Sequence, residues 1–401
     1  MGISSPRGKH RLLVLGAGPA QLGLLRAARD RGLFVVACDR DPQAPGFEHA
    51  DRRAIVSAED EPAIGKLAEA EAVDGVIAPG IDWPVAIAAR VAARFALPHP
   101  LSPETAALAV SKQRQRERLA EAGVPQPAWQ LATEPDGLPV PCVVKPPDRQ
   151  GQKGLTLVRD ESELGAAVEL AVRESRAGCA LVEELVEGPE VTVNGFSVDG
   201  VFHPLTVTDR LTAELPAFGV ALAHAWPSEH DVSEAVDAAR AAAEALGIAN
   251  GPTYTQVKLS GRGPKVMELA ARLGGGHDAE VCREALAIDP NELALDAALG
   301  EPVEIPHAQP AGGACVRFLV PPEGELTAIA GIDEARAADG VVDAQVYRRP
   351  GYVFGPFLRG ADRAGFVLAT GASRDEALTN AGRAADSIRF EIADAALLQQ
   401  T

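Results

Sequence analysis

The feature that most constrains this chain is its opening. Residues 11 to 16, Arg-Leu-Leu-Val-Leu-Gly, form an apolar run ending in a glycine turn, Pro19 to Arg31 reads as a helix stopped by Gly32, and Leu33 to Asp39 is a second apolar run. Continuous apolar runs, rather than alternating ones, mark strands buried on both faces, which a parallel sheet flanked by helices provides. The pattern continues with a helix from Glu61 to Ala72, a strand from Gly75 to Ala78, a helix from Val85 to Phe95 and a break at Pro98 and Pro100. The chain therefore opens as a doubly wound α/β unit over residues 1–107.

A helix from Ser111 to Ala122 closes at Gly123 and Pro125, and a proline-rich stretch leads into the strand Pro141 to Lys145. Strands 156–159, 180–185 and 190–198 with a helix over 162–176 then predict an α+β lobe. An alanine-rich helix over 232–246 precedes strands 253–259 and 264–270, and the remainder is strand-rich with a last helix near 374–389. A chain of 401 residues has material for two or three such units. The formal net charge of −18 opposes nucleic acid and anionic membrane surfaces as partners. No apolar run is long enough for a membrane span, and Pro6 stands where a myristoylation signal wants Ser or Thr, so a cytoplasmic location is expected. Five scattered cysteines without a C-x-x-C pair favour neither a disulfide framework nor zinc.

Three clusters are candidates for chemistry. Gly16-Ala-Gly18-Pro-Ala-Gln21-Leu-Gly23, followed by Asp39, approaches a dinucleotide fingerprint. The third glycine of G-x-G-x-x-G falls on Gln21, however, whose bulk opposes close helix-to-strand packing. A structural or small-ligand turn is expected there in place of an NAD site. Lysine is scarce, seven against 31 arginines, and three of the seven lie between 112 and 153. Lys145 ends an apolar strand against Pro146-Pro147, where an anionic partner such as a phosphate is expected. The adjoining Asp148-Arg149-Gln150-Gly151-Gln152-Lys153-Gly154 can turn amides toward a phosphate, or form an ordinary hairpin turn. In the third cluster, a hairpin with loop 261–263 sets Gln256 opposite Glu268 and Val257 opposite Met267. Val257, Leu259, Met267 and Leu269 then form an apolar face, and Gln256, Lys258 and Glu268 a polar one suited to Mg²⁺ or simply to solvent.

Taken in order, these clusters resemble the ATP-grasp superfamily, and within it the carboxylate-amine ligases of the L-amino acid ligase type. The resemblance runs over nearly the whole chain: Gly75-Val-Ile-Ala-Pro-Gly-Ile-Asp82, Ser111-Lys112, Val-Val-Lys145-Pro, the glycine loop, Val-Glu183-Glu184-Leu-Val186-Glu-Gly-Pro-Glu190, and Met-Glu268-Leu-Ala-Ala-Arg272-Leu-Gly-Gly. It implies a Rossmann-like domain over 1–107, a small ATP-grasp lobe over 108–183 and a large lobe over 184–401. It implies ATP and Mg²⁺ as cofactors. Lys112 and Lys145 are then the lysines at the ATP phosphates, and loop 148–154, with Gly151, Gly154 and Lys153, is a lid over the γ-phosphate. Glu183, Glu184 and Val186 belong to the segment against adenine, with Glu184 and Val186 offering backbone hydrogen bonds, Glu190 to the ribose, and Gln256 and Glu268 to Mg²⁺. Arg272, Lys153 and Glu268 become the catalytic groups. Two departures stand out, since the first metal position is often acidic but is Gln256 here, and the third, often Asn, is Ala270; fewer charged ligands imply weaker Mg²⁺ binding.

The implied reaction converts a carboxylate to an acyl phosphate and couples it to an amine, with ADP and phosphate released. Small-molecule carboxylate and amine substrates are the expected partners, with a homodimer possible. The alternatives are a purine-biosynthesis-like enzyme acting on a ribonucleotide and a nucleotide-binding protein without turnover. The segment 203–230 is expected to line the acceptor side, with Phe218 and Trp226 shaping it.

Overall fold

The computed structural model describes residues 10–149 and 151–393. The N-terminal stretch containing Pro6, and Gln150 of the glycine loop, lie outside the described residues. Among the described residues no helix is long and apolar enough to cross a membrane.

The opening forms a parallel sheet in the spatial order Arg52–Ile55, Phe34–Asp39, Arg11–Leu15, Gly75–Ile77. Leu12, Leu13, Val14 and Leu15 are fully buried because helices Leu22–Asp30 and Trp83–Arg94 pack beside the central strands. The edge strand Arg52–Ile55 was not foreseen, since its Arg-Arg-Ala-Ile carries no apolar run and is half exposed. The helix expected from Pro19 starts as a turn of 3-10 helix over Pro19–Gln21 before becoming α-helical at Leu22. Cys38, in this core, has its thiol pushed by burial up to about 12 and is an inert filler.

A four-stranded antiparallel sheet, ordered Trp129–Ala132, Ala180–Glu184, Cys142–Lys145, Thr156–Val158, follows. Helix Glu161–Glu174, started by an Asp160/Glu163 capping box, lays Leu164, Ala167, Val168 and Ala171 on it. The stretch expected to be only a proline-rich connection thus contains an edge strand, Trp129–Ala132, paired with the last strand of the lobe.

An eight-stranded sheet forms the largest layer, with the hairpin Gly251–Ser260 and Gly263–Ala270 at one edge. Helix Ser233–Ala245 presents Ala235, Ala238, Ala239, Ala242 and Ala243 to it, so the helix lies close against Val191, Val193, Val257, Val266 and Leu269. The same buried clusters contain residues of the N-terminal sheet, which fixes that sheet against the hairpin and helix Asp278–Leu286. A small sheet of Val353–Phe354, Gly324–Ala330 and Arg389–Ala393 completes the strand-rich end, beside helix Arg374–Ser387.

Candidate active site

The hairpin supplies the floor of a cavity of about 540 Å³. Gln256 pairs with Glu268 as the sequence predicts. Immediately beyond, the register shifts and Val257 faces Val266, not Met267. The bulge re-aims one residue: Val266 takes the buried place, and Met267, expected on the apolar face, lines the cavity instead.

Glu268 receives Lys112, whose Nζ lies 2.8 Å from its Oε1. Lys112 starts the helix Lys112–Glu121, capped by the Ser111 hydroxyl, and also donates to the Arg149 carbonyl at 2.7 Å. Burial alone would raise the Glu268 pKa, but the ammonium groups of Lys112 and Lys145 and the Arg272 guanidinium hold it down to about 2. Its charge is therefore permanent at neutral pH. Gln256 donates to the Tyr254 hydroxyl at 3.3 Å, which directs the amide hydrogens away and leaves its carbonyl oxygen as an acceptor.

Lys145 sits 2.7 Å from Glu183, which also accepts from Arg116 Nε at 2.8 Å. One buried carboxylate thus serves two cations, and burial, only partly offset by Glu183, lowers the Lys145 pKa. Glu183, expected beside adenine, is the anchor beneath Lys145. Glu184 is not among the cavity-lining residues; its carboxylate turns to the Ala128 amide and Arg262 because it emerges on the opposite face of the strand, whereas Leu185 and Val186 do line the cavity. Glu190 accepts from Arg210 at 2.7 Å and has Lys258 at 3.7 Å. Arg272 pairs with Asp82, 2.7 Å away on the N-terminal loop, so the cavity joins the first sheet to the hairpin.

Over the cavity, Gly151, Gln152 and Gly154 have φ of +63°, +63° and +73°. A Cβ on Gly154 would come within 2.9 Å of Pro146, which is why glycine stands there. Lys153 reaches outward to Glu174 at 2.9 Å and is half exposed, and Gln152 donates to the Phe218 carbonyl at 3.4 Å across the cavity. Phe218 lines the cavity as expected; Trp226 does not, but packs against the core cluster that contains Phe196 and Val316, because its strand turns it to the other face. The glycine turn of the first cluster borders the cavity through Gly18, Ala20, Gln21 and Asp39, but is filled from within. Gln21 lies over Gly16 and donates to the Pro79 carbonyl at 2.7 Å, while Asp39 accepts from the Ala17 amide at 2.9 Å.

Arg210 and His224, within the segment 203–230 expected on the acceptor side, line the cavity, and sequence reasoning missed the residues beside them, Phe318, Tyr347, Arg348 and Arg363. Arg363 stacks 3.7 Å over Phe318 and donates to the Ala221 carbonyl, and among the described residues no carboxylate pairs with it. Burial, and then Arg210, lower its pKa to about 10. The available signal was the run Arg348, Arg349, Arg359 and Arg363 in a strand-rich segment.

A cavity enclosed by these three layers, with paired lysines and a glycine loop above a carboxylate-bearing hairpin, defines an ATP-grasp protein. An ATP-grasp domain model matches residues 138–280, and an L-amino acid ligase C-terminal domain 2 model matches residues 317–393. The formate-dependent phosphoribosylglycinamide formyltransferase of Burkholderia pseudomallei is 30% identical, with 94% of this chain and 95% of that protein covered. The Sinorhizobium fredii protein y4rH is also 30% identical; the match covers 76% of this chain but 65% of that relative's length. Among solved structures, the L-amino acid ligase of Bacillus licheniformis shares the fold with a TM-score of 0.81 at 22% identity, covering 97% of this chain and all (100%) of that one. The N5-carboxyaminoimidazole ribonucleotide synthetase of Thermotoga maritima does so with a TM-score of 0.73 at 20% identity, covering 96% and 100%. The chain belongs to the ATP-grasp carboxylate-amine ligases, enzymes that form C–N bonds at the expense of ATP.

Proposed function

We propose that this protein activates a small carboxylic acid, an amino acid foremost, as an acyl phosphate and transfers the acyl group to an amine. The observation that carries this reading is the unpaired Arg363 guanidinium, which shares one cavity with Lys112, Lys145 and Glu268. A cation buried without an acid is unfavourable alone and is completed by an anionic substrate group.

A free carboxylate resists amine attack because oxide is a poor leaving group, and phosphorylation supplies a better one. Lys112, Lys145 and Arg272 would offset charge on the transferred phosphoryl group, with Lys153 added when it swings in from Glu174. The 148–154 loop would exclude water from the acyl phosphate. Gln256 and Glu268 offer one amide and one carboxylate oxygen, hard donors that fit Mg²⁺, and the ammonium of Lys112 already marks the place as one that takes positive charge. Bound there, Mg²⁺ would neutralise and orient the nucleotide phosphates. Glu190 and Val186 are proposed for the ribose and adenine sides.

A ribonucleotide phosphate is the second reading, favoured by Arg348 beside Arg363 and by the 30% identity to a phosphoribosylglycinamide enzyme. Phosphate release decides between them: turnover with pairs of amino acids supports the first, turnover only with a ribonucleotide supports the second, and nucleotide binding with neither contradicts both.

A further inference from the structure

We propose that Tyr347, His277 and Glu280 form a proton relay that removes a proton from the ammonium of the acceptor substrate. The inference rests on the ligase reading above. At neutral pH an aliphatic amine is protonated and has no lone pair, so some group must accept its proton before it attacks.

His277 precedes helix Asp278–Leu286 with a φ of +59°, and its ring stacks on Phe366 with centroids 3.8 Å apart. Nε2 lies 2.6 Å from the Tyr347 hydroxyl, and Nδ1 lies 3.7 Å from Glu280 Oε2 three residues on. Glu280 is fixed from the far side, since its carboxylate fills the space where any side chain at Gly23 would stand. A buried carboxylate facing Nδ1 assigns the ring proton to that nitrogen, so Nε2 accepts from the tyrosine. The Tyr347 oxygen then has its lone pairs free for the cavity it lines. Burial raises the Tyr347 pKa, so the phenol keeps its proton and works as a conduit. Arg363, Arg26 and Asp343 are the other charged groups around Tyr347, and His224 is the neighbouring titratable ring at His277. Arg363 and Arg26 disfavour a second positive charge resting on the amine.

The balance closes between the relay and the departing phosphate, which take one proton each. An ammonium N–H bond breaks and its proton passes to Tyr347 oxygen while the phenol proton passes to His277 Nε2. The products are a neutral amine and an imidazolium facing Glu280. The amine lone pair forms the C–N bond, the C–O bond to phosphate breaks, and phosphate departs with that electron pair and with the second N–H proton, leaving hydrogen phosphate and a neutral amide.

Hydroxylamine provides the test, because it is uncharged at neutral pH and needs no relay. With ATP, Mg²⁺ and a mixture of the standard amino acids, amide and hydroxamate formation are measured for the parent, Tyr347→Phe, His277→Asn and Glu280→Gln. Asparagine adopts the positive φ at 277 more readily than other residues, and thermal melting verifies folding. Amide formation at pH 7 is expected to fall about 100-fold in Tyr347→Phe and His277→Asn, in keeping with loss of general base catalysis. The deficit should shrink as pH approaches the amine pKa, with hydroxamate formation retained. Equal loss with both nucleophiles, or a deficit unchanged by pH, would overturn the relay while leaving the ligase reading in place. A parent enzyme that forms neither amide nor hydroxamate contradicts the ligase reading, and the relay with it.

Discussion

At the scale of single residues, charge placement dominates the site. Glu268 is the one carboxylate that the hairpin strands 251–260 and 263–270 turn into the cavity. Glu268→Gln keeps the shape, and Lys112 keeps the Arg149 carbonyl, so the variant should fold while ATP turnover falls about 100-fold or more. Gln256→Glu should tighten Mg²⁺ binding, as a Mg²⁺ titration of turnover would read. The depressed Glu268 pKa has a definite sign in acid. A carboxyl moved from 4.5 to about 2 on folding stabilises the protein fully above the ordinary value and loses that contribution as pH falls through the folded one. Denaturant titrations between pH 5 and 2 should show this slope in the parent and a flatter one in Glu268→Gln. Glu183 is a different case: at 1% exposure it holds Arg116 and Lys145 together. Glu183→Gln strands two buried cations and should cost about 3–5 kcal/mol, measured as a lowered denaturant midpoint.

At the scale of elements, local devices aim the residues. The bulge after Gln256 brings Met267 to the cavity and Val266 to the core, which strict alternation along the strand does not allow. The 148–154 loop is tied down by polar links to Glu174 and the Phe218 carbonyl, and links of that kind exchange readily for a phosphate. Amides of residues 151–154 should therefore exchange quickly without nucleotide and become protected with Mg-ADP. Equal protection in the two states would show a fixed turn.

At the scale of the molecule, the cavity exists because three layers meet. Asp82, on the loop after the first sheet's strand Gly75–Ile77, and Arg272, just past the hairpin strand's end, pair across the junction, so a ligand there binds only the assembled chain. Mg-ATP should raise thermal stability by mass action, about 2.7 kcal/mol at a hundred times its Kd, and Lys145→Ala should abolish the shift. NAD should produce none, since Gln21 fills the glycine turn and Asp39 is engaged by the Ala17 amide.

The sequence by itself determined the buried parallel strands of the opening, the lone lysines, the glycine loop and the Gln256–Glu268 pairing, because each depends on short-range periodicity or nearest-neighbour hairpin geometry. These were enough to reach the ATP-grasp class and one side of the candidate site. Only the tertiary structure decided where Met267 and Trp226 point, that Glu183 sits under Lys145, that Arg363 and Tyr347 share a cavity with the hairpin, and that His277 reaches Tyr347. Arg363 and Tyr347 stand in the strand-rich end and His277 follows the hairpin, so their meeting depends on the eight-stranded sheet order. Contacts between residues so far apart in sequence leave no periodic trace along the chain, and burial, which sets Arg363 in the cavity without a carboxylate partner among the described residues, is a property of the assembled layers.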